Sequence, residues 1–166
     1  MHAIKFTILS IFVFTLSLNV NAKDDFDKPK VRLKAPDFSI QNSEGKISLK
    51  QHLGKLVILN FWSLECRPCV EEMKSLDYLS RRFNKNELKI IAISSDSNDQ
   101  LKQYIKKHQY HFRILHDKDA VIRNMYEVKV LPTTYIIGRD GKFLARIIGA
   151  RNWINQSIFK ILALEH

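Results

Sequence analysis

The chain is 166 residues long, 45% hydrophobic and 27% charged, with 5 Gly, 4 Pro and 2 Cys, which excludes disordered, collagen-like and disulfide-scaffold classes. Such a length suits one domain once a targeting peptide is set aside, and leaves no room for two. Its 27 basic against 17 acidic side chains give a formal charge of +10, which bears on solubility and on encounter with anionic surfaces and does not by itself imply nucleic acid.

Met1 to Ala22 has no acidic residue, carries Lys5 near its start and is apolar from Phe6 to Val20, ahead of Val20-Asn21-Ala22. Residues 1–22 therefore read as a secretory signal peptide cleaved after Ala22. The run is shorter and more polar than a membrane span. The alternative is an uncleaved anchor holding the same domain at the outer face of a membrane, so either way the compartment is periplasmic or otherwise extracytoplasmic, and oxidising. Lys23 to Lys34 mixes charges without apolar periodicity and reads as a flexible leader. One domain, residues 35–166, begins at Ala35-Pro36-Asp37-Phe38.

Phe38-Ser39-Ile40 and Lys46-Ile47-Ser48-Leu49 flank a turn centred on Gly45, which predicts an N-terminal hairpin. Leu56 to Trp62 is nearly continuous apolar sequence, as a strand covered on both faces requires. Cys69, Met73, Leu76, Leu79 and Phe83 then recur at spacings of three and four, the stripe of an amphipathic helix. Leu88 to Ser94 predicts a second buried strand, and Leu101, Tyr104 and Ile105 mark a second helix. Phe112 to Leu115 is a short strand, Asp119 is a candidate cap for a helix through Val121, Ile122 and Met125, and Thr133 to Ile137 is a further strand. Arg139-Asp140-Gly141 turns the chain into Phe143 to Ile148, and Ile154, Ile158, Ile161 and Leu162 mark a closing helix. Alternating strands and helices predict an α/β fold: a parallel sheet core with helices on both faces, extended at its margins by antiparallel hairpins.

The two cysteines, Cys66 and Cys69, are separated by Arg67-Pro68 where the buried strand passes into the amphipathic helix. Unsatisfied N–H groups and the macrodipole at a helix start favour a thiolate, and residues three apart lie about one turn apart, within disulfide reach. Pro68 fits because the first turn has no use for the N–H it lacks. Cys66 is expected to be the exposed nucleophile, and Cys69, on the apolar stripe, the buried residue that resolves a mixed disulfide. A purely structural disulfide closing so short a loop would remove little unfolded-state entropy. Half of a zinc site is the weaker alternative, since His52, His108, His111 and His116 show no paired ligand spacing. No metal is expected.

These residues resemble the exported thioredoxin-like thiol-disulfide oxidoreductases of the TlpA/ResA/CcmG type. The resemblance runs from Ala35 to about Leu164. It is carried by Ala35-Pro36-Asp37-Phe38, Gly54 to Trp62, Cys66-Arg67-Pro68-Cys69 with Glu72-Met73, and Leu131-Pro132-Thr133-Thr134 leading into Tyr135-Ile136-Ile137. It implies a thioredoxin-like fold, a central mixed sheet flanked by helices, with an inserted βα unit between Cys69 and Pro132. It implies that Pro132 is cis and faces the dithiol, and that Glu72 is a buried active-site glutamate. A carboxylate with a raised pKa one turn after Cys69 can take that thiol's proton. Asn60 stands where minimal thioredoxins carry a buried Asp, so that group cannot serve here. Trp62, Arg67, Pro68, Leu131 and Pro132 are the expected substrate-binding residues. The chain departs from the type at Glu65, where Trp usually precedes the first cysteine, and at Val130, where Gly is common. Glu65 raises a neighbouring thiol's pKa and Arg67 lowers it.

The function expected is a disulfide reductase acting on specific protein partners, fed by a membrane thiol carrier and including apocytochrome c among its substrates. No cofactor is needed beyond a redox-active Cys66–Cys69 disulfide, and the protein is expected to be a monomer. Val70 follows Cys69, so the pair is not a haem-attachment motif. The alternatives are a disulfide oxidant; a thiol peroxidase, whose motif fails because Leu59 stands in place of Pro; and a copper or haem chaperone or other thioredoxin-like binding module. Lys102, Lys106 and Lys107 read as a solvated helix face.

Overall fold

The computed structural model describes residues 32–42, 45–155 and 159–160. The signal peptide or anchor, most of the leader, the tip of the hairpin turn at 43–44, and Ile158, Ile161 and Leu162 of the closing helix lie outside the described residues. Among the described residues, no helix is long and apolar enough to cross a membrane.

The elements in order are β1 (Ser39–Asn42), β2 (Gly45–Ser48), β3 (Leu56–Trp62), α1 (Arg67–Arg82), β4 (Leu88–Ser94), α2 (Asn98–His108), β5 (Arg113–His116), α3 (Val121–Met125), β6 (Thr133–Ile137) and β7 (Phe143–Ile148). Five strands form one mixed sheet in the order β5-β4-β3-β6-β7. β4 runs parallel to β3 and β5 parallel to β4, while β6 is antiparallel to β3 and β7 antiparallel to β6. β3 is central and every one of its residues is buried, which is why it lacks the polar alternation of a half-exposed strand. The βα pairs β4-α2 and β5-α3 fill the stretch between Cys69 and Pro132.

The structure revises five expectations. The hairpin β1-β2 forms its own two-stranded sheet and extends no margin of the large one, so only the β6-β7 pair adds antiparallel edge. The fifth strand starts one residue later, at Arg113, leaving Phe112 buried ahead of it. Asp117 caps α3: its carboxylate accepts the Ile122 and Arg123 N–H groups at 3.0 and 2.8 Å. Asp119 sits at φ 60° in the tight turn just before. Ile154 lies in a turn and the chain is helical again at residues 159–160. Ordered pairing also begins just before Ala35, since Lys34 bridges Lys142 and the Phe143 N–H donates to the Leu33 carbonyl at 2.9 Å.

Side chains alternate across the strands, so each strand feeds two cores. Leu56, Ile58 and Trp62 of β3 join Cys69, Met73, Leu76 and Leu79 of α1 and Leu101 of α2. Val57, Leu59 and Phe61 join Phe38, Ile122, Tyr126, Tyr135 and Ile137 on the opposite face. The α1 stripe is the one that the spacing predicts, and its four members from Cys69 to Leu79 are all 0% exposed. At the β6-β7 turn Gly141 has φ +76°, and a Cβ there would meet Leu53 Cδ2 at 2.8 Å, so both backbone and space call for glycine.

Candidate active site

β3 ends at Trp62, and Ser63, Leu64 and Glu65 lead into Cys66, the N-cap of α1. Pro68 occupies the first turn, and the first helical bond runs from the Val70 N–H to the Cys66 carbonyl at 3.1 Å. Cys66 and Cys69 are joined as a disulfide with their Cα atoms 5.2 Å apart. Cys66 is half-buried, whereas Cys69 is 0% exposed within the α1 core. One sulfur of the pair belongs to a partly open residue at the orphan amides of a helix start, and the other to a residue sealed behind it.

The surroundings differ from expectation at two residues. Arg67 Nε donates to Glu71 Oε1 at 2.9 Å and the Arg67 side chain is 91% exposed. Its charge is paired along the helix surface, which weakens its expected pull on a thiolate. Trp62, expected among the substrate-binding residues, is 1% exposed and packs on Tyr104 with ring centroids 5.2 Å apart. It is a wall of the core behind the sulfurs, because even-numbered β3 residues face α1 and α2. Pro68 remains exposed.

The loop carrying the cysteines is held by a residue that motif reading passed over. Trp62 pairs in register with Ser94, so the loops leaving β3 and β4 emerge side by side. Asp96 then accepts from Ser63 Oγ at 2.8 Å, from the Leu64 N–H at 2.7 Å and from Ser94 Oγ at 2.6 Å. The available signal was an Asp just past the end of the strand next to β3, where ligands of α/β sheets gather.

Glu72 is 4% exposed. Its Oε1 accepts from Asn60 Nδ2 at 2.8 Å, and its Oε2 accepts from the Arg151 N–H at 3.0 Å and from Trp153 Nε1 at 3.2 Å. Asn60 Nδ2 also donates to Thr134 Oγ1 at 2.9 Å. Alternation explains the convergence. Asn60 on β3 and Thr134 on β6 are register partners, and both point to the face on which α1 lies. Burial raises the Glu72 pKa above its ordinary 4.5, opposed by its three hydrogen bonds and by the Arg151 charge. A carboxyl poised in this way exchanges a proton closer to neutrality than a solvated one.

The Leu131–Pro132 bond is cis. Pro132 is buried, and Leu131 is half-buried against the same core cluster that holds Cys69 and borders Cys66. The Pro132 carbonyl accepts the Gly149 N–H at 2.8 Å, and Thr133 Oγ1 donates to the Val130 carbonyl at 2.7 Å. Val130 itself is exposed. Among the described residues, no group of three His, Cys, Asp or Glu side chains could hold a metal ion.

The AhpC/TSA family model matches residues 31–145. The chain belongs to the AhpC/TSA family. Within it, the chain is 36% identical over 127 residues to the thiol-disulfide oxidoreductase ResA of Bacillus cereus, a match covering 75% of this chain and 73% of that one. It is 31% identical over 136 residues to the ResA of Oceanobacillus iheyensis, covering 78% and 71%. In fold it is similar to a Chlorobium tepidum protein named for the thiol:disulfide interchange protein DsbE, with a TM-score of 0.75 over 84% of this chain and 97% of that one at 24% identity. This member of the AhpC/TSA family is a thiol-disulfide oxidoreductase of the ResA type, with Cys66 and Cys69 as its cysteine pair.

Proposed function

We propose that the protein is an exported disulfide reductase that acts on specific protein partners outside the cytoplasm, with the disulfide of an apocytochrome c awaiting haem as its characteristic substrate. The observation that carries this reading is the placement of a half-open Cys66 and a sealed Cys69 at one helix start, with the buried Glu72 one turn along. In the reduced protein the Cys66 thiolate attacks a substrate disulfide, and one substrate sulfur leaves as a thiolate. The Cys69 thiol passes its proton to Glu72 and attacks the Cys66 sulfur of the mixed disulfide. The second substrate sulfur leaves, and the Cys66–Cys69 disulfide remains. Two electrons have moved to the substrate, and a membrane thiol carrier returns the pair to its reduced form. No cofactor beyond that disulfide enters the cycle, and the protein works as a monomer.

Under this reading residues 1–22 direct export, and the region around Arg67, Pro68, Leu131 and Pro132 receives the substrate strand. The decisive measurement is the equilibrium of the pair against glutathione. A potential near about −270 mV, as in thioredoxin, is expected for a reductant, and one near about −120 mV, as in the strong oxidant DsbA, would reverse the direction. Alongside it, Cys66→Ser is expected to lose insulin reduction, and Cys69→Ser to accumulate a mixed disulfide. A Cys66→Ser chain that exchanges as fast as its parent would overturn the assignment of the nucleophile.

A further inference from the structure

Glu72 is held from two sides. The sheet supplies one donor, Asn60, to Oε1; both donors to Oε2 come from the segment that follows β7. That segment is a strap. Its first residue, Gly149, donates its N–H to the carbonyl of the cis-proline Pro132 at 2.8 Å. Two residues on, the Arg151 N–H reaches Glu72. Trp153 then makes two bonds to α1: its indole N–H donates to Glu72 Oε2 at 3.2 Å, and its main-chain N–H to Ser75 Oγ at 3.2 Å. The Ser75 hydroxyl in turn donates to the Glu72 carbonyl at 2.8 Å. Trp153 is 0% exposed. A side chain recruited only to fill that volume would need no N–H, and a buried N–H without an acceptor is costly. Here the acceptor is the carboxylate assigned to proton transfer.

We infer that the Gly149–Trp153 strap is the positioning element of Glu72 and that Trp153 is its principal positioning residue, fixing the orientation and proton affinity of the carboxylate from the side opposite the sheet. The inference rests on the reading of Glu72 as proton acceptor and adds to it the group that tunes it. Among the described residues, the charged and titratable groups around Glu72 are Cys69 one turn back on its own helix, Arg151 on the strap, and Glu71, Lys74 and Tyr78, which line the same cleft as Pro68 and Glu72. β3 and β6 contribute only the neutral Asn60 and Thr134. Loss of the indole N–H thus removes a bond that favours the ionised carboxylate and changes no charge.

The test uses Trp153→Phe, which keeps an aromatic ring and removes the donor. In the oxidised protein no thiol titrates, so the carboxyl 13C shift of Glu72 reports that group alone. Its midpoint is expected to rise by about one pH unit, a tenfold change in proton affinity. The pH profile of disulfide exchange by the reduced protein is expected to move the same way. Ser75→Ala, which frees one end of the strap, should give a smaller shift of the same sign and serves if the Phe variant folds poorly. A Glu72 midpoint unmoved in both variants, or a loss of rate equal at every pH, overturns the inference. The functional reading beneath it fails separately: a Glu72→Gln protein exchanging at the parent rate would remove Glu72 from the reaction whatever the carboxyl titration showed.

Discussion

On one face of the central sheet, Leu56, Ile58 and Trp62 of β3 and Ile136 of β6 pack beneath α1 and α2; on the other, Val57, Leu59 and Phe61 pack with Tyr135, Tyr126, Phe143 and Phe38. Both cores are dense and both bury polar atoms, yet they treat them differently. On the second face two phenol hydroxyls end on backbone carbonyls: Tyr126 donates to Pro36 at 2.6 Å and Tyr135 to Tyr126 at 2.7 Å. Burial raises the pKa of both phenols, so they stay neutral at any working pH. On the first face Asn60 and Thr134 accompany a buried carboxyl, Glu72, whose three partners are all donors. A buried group with matched neutral partners fixes geometry, whereas a buried acid among donors can change state. The cysteine site lies on the face that holds the Glu72 carboxyl.

Glu72→Gln breaks this contrast most severely. It removes the buried acid of the site, and at neutral pH exchange is expected to slow by about a hundredfold, the scale of a lost acid–base group. Stability supplies an independent reading. Because the folded-state pKa is raised above 4.5, the folded protein binds this proton more tightly than the unfolded chain does. The contribution is fully present below about pH 4.5 and is lost as pH rises through the folded midpoint. Denaturant titrations of the oxidised parent should therefore show stability falling as pH climbs above 4.5, and Glu72→Gln should flatten that slope. A variant with the parental slope would show that the carboxyl does not carry it.

Asn60→Asp sharpens the contrast instead. A second carboxyl would replace the amide now 2.8 Å from Glu72 Oε1, and two such groups titrate as a coupled pair with one proton held strongly. The exchange profile is expected to move toward alkaline pH by about two units, and stability to fall more steeply above pH 5 than in the parent. Exchange kinetics measured from pH 5 to 9 decide it; a profile that does not move would mean that the two side chains are not coupled.

What the sequence made legible follows the same division. The Leu56–Trp62 run, the α1 stripe and the Cys66–Cys69 spacing are local patterns, and each stands where its periodicity puts it, because one element's burial is written into its own residues. Asn60, Arg151 and Trp153 reach Glu72 from elements up to 81 residues away in the chain, and no local pattern encodes that meeting. Trp153 stands just ahead of the residues that mark the expected closing helix and belongs to no motif, and Asp96 lies in a polar turn with none. Trp62 shows the converse: it was expected among the substrate-binding residues, while strand alternation turns it into the core. The Asp117 cap was missed because the helix was read as starting directly after the nearest acidic residue, and the chain first makes a tight turn through Asp119 and Ala120, both at positive φ.

The smallest expected effect tests the quiet face. Tyr126→Phe removes only the hydroxyl that donates to the Pro36 carbonyl, leaving the ring against Phe61 at 5.5 Å and Tyr135 at 5.4 Å. One buried neutral hydrogen bond is worth about 1 kcal/mol net, more if the abandoned carbonyl stays dry. A loss of that size should appear in denaturant unfolding and be the same at every pH from 5 to 8, since no group that titrates there has changed partner. Exchange kinetics should match the parent, because Tyr126 hangs from the face that odd-numbered β3 residues supply, with the sheet between it and Glu72. An altered exchange profile would mean that the sheet transmits strain from one core to the other, and the two faces would then have to be treated as a single coupled unit.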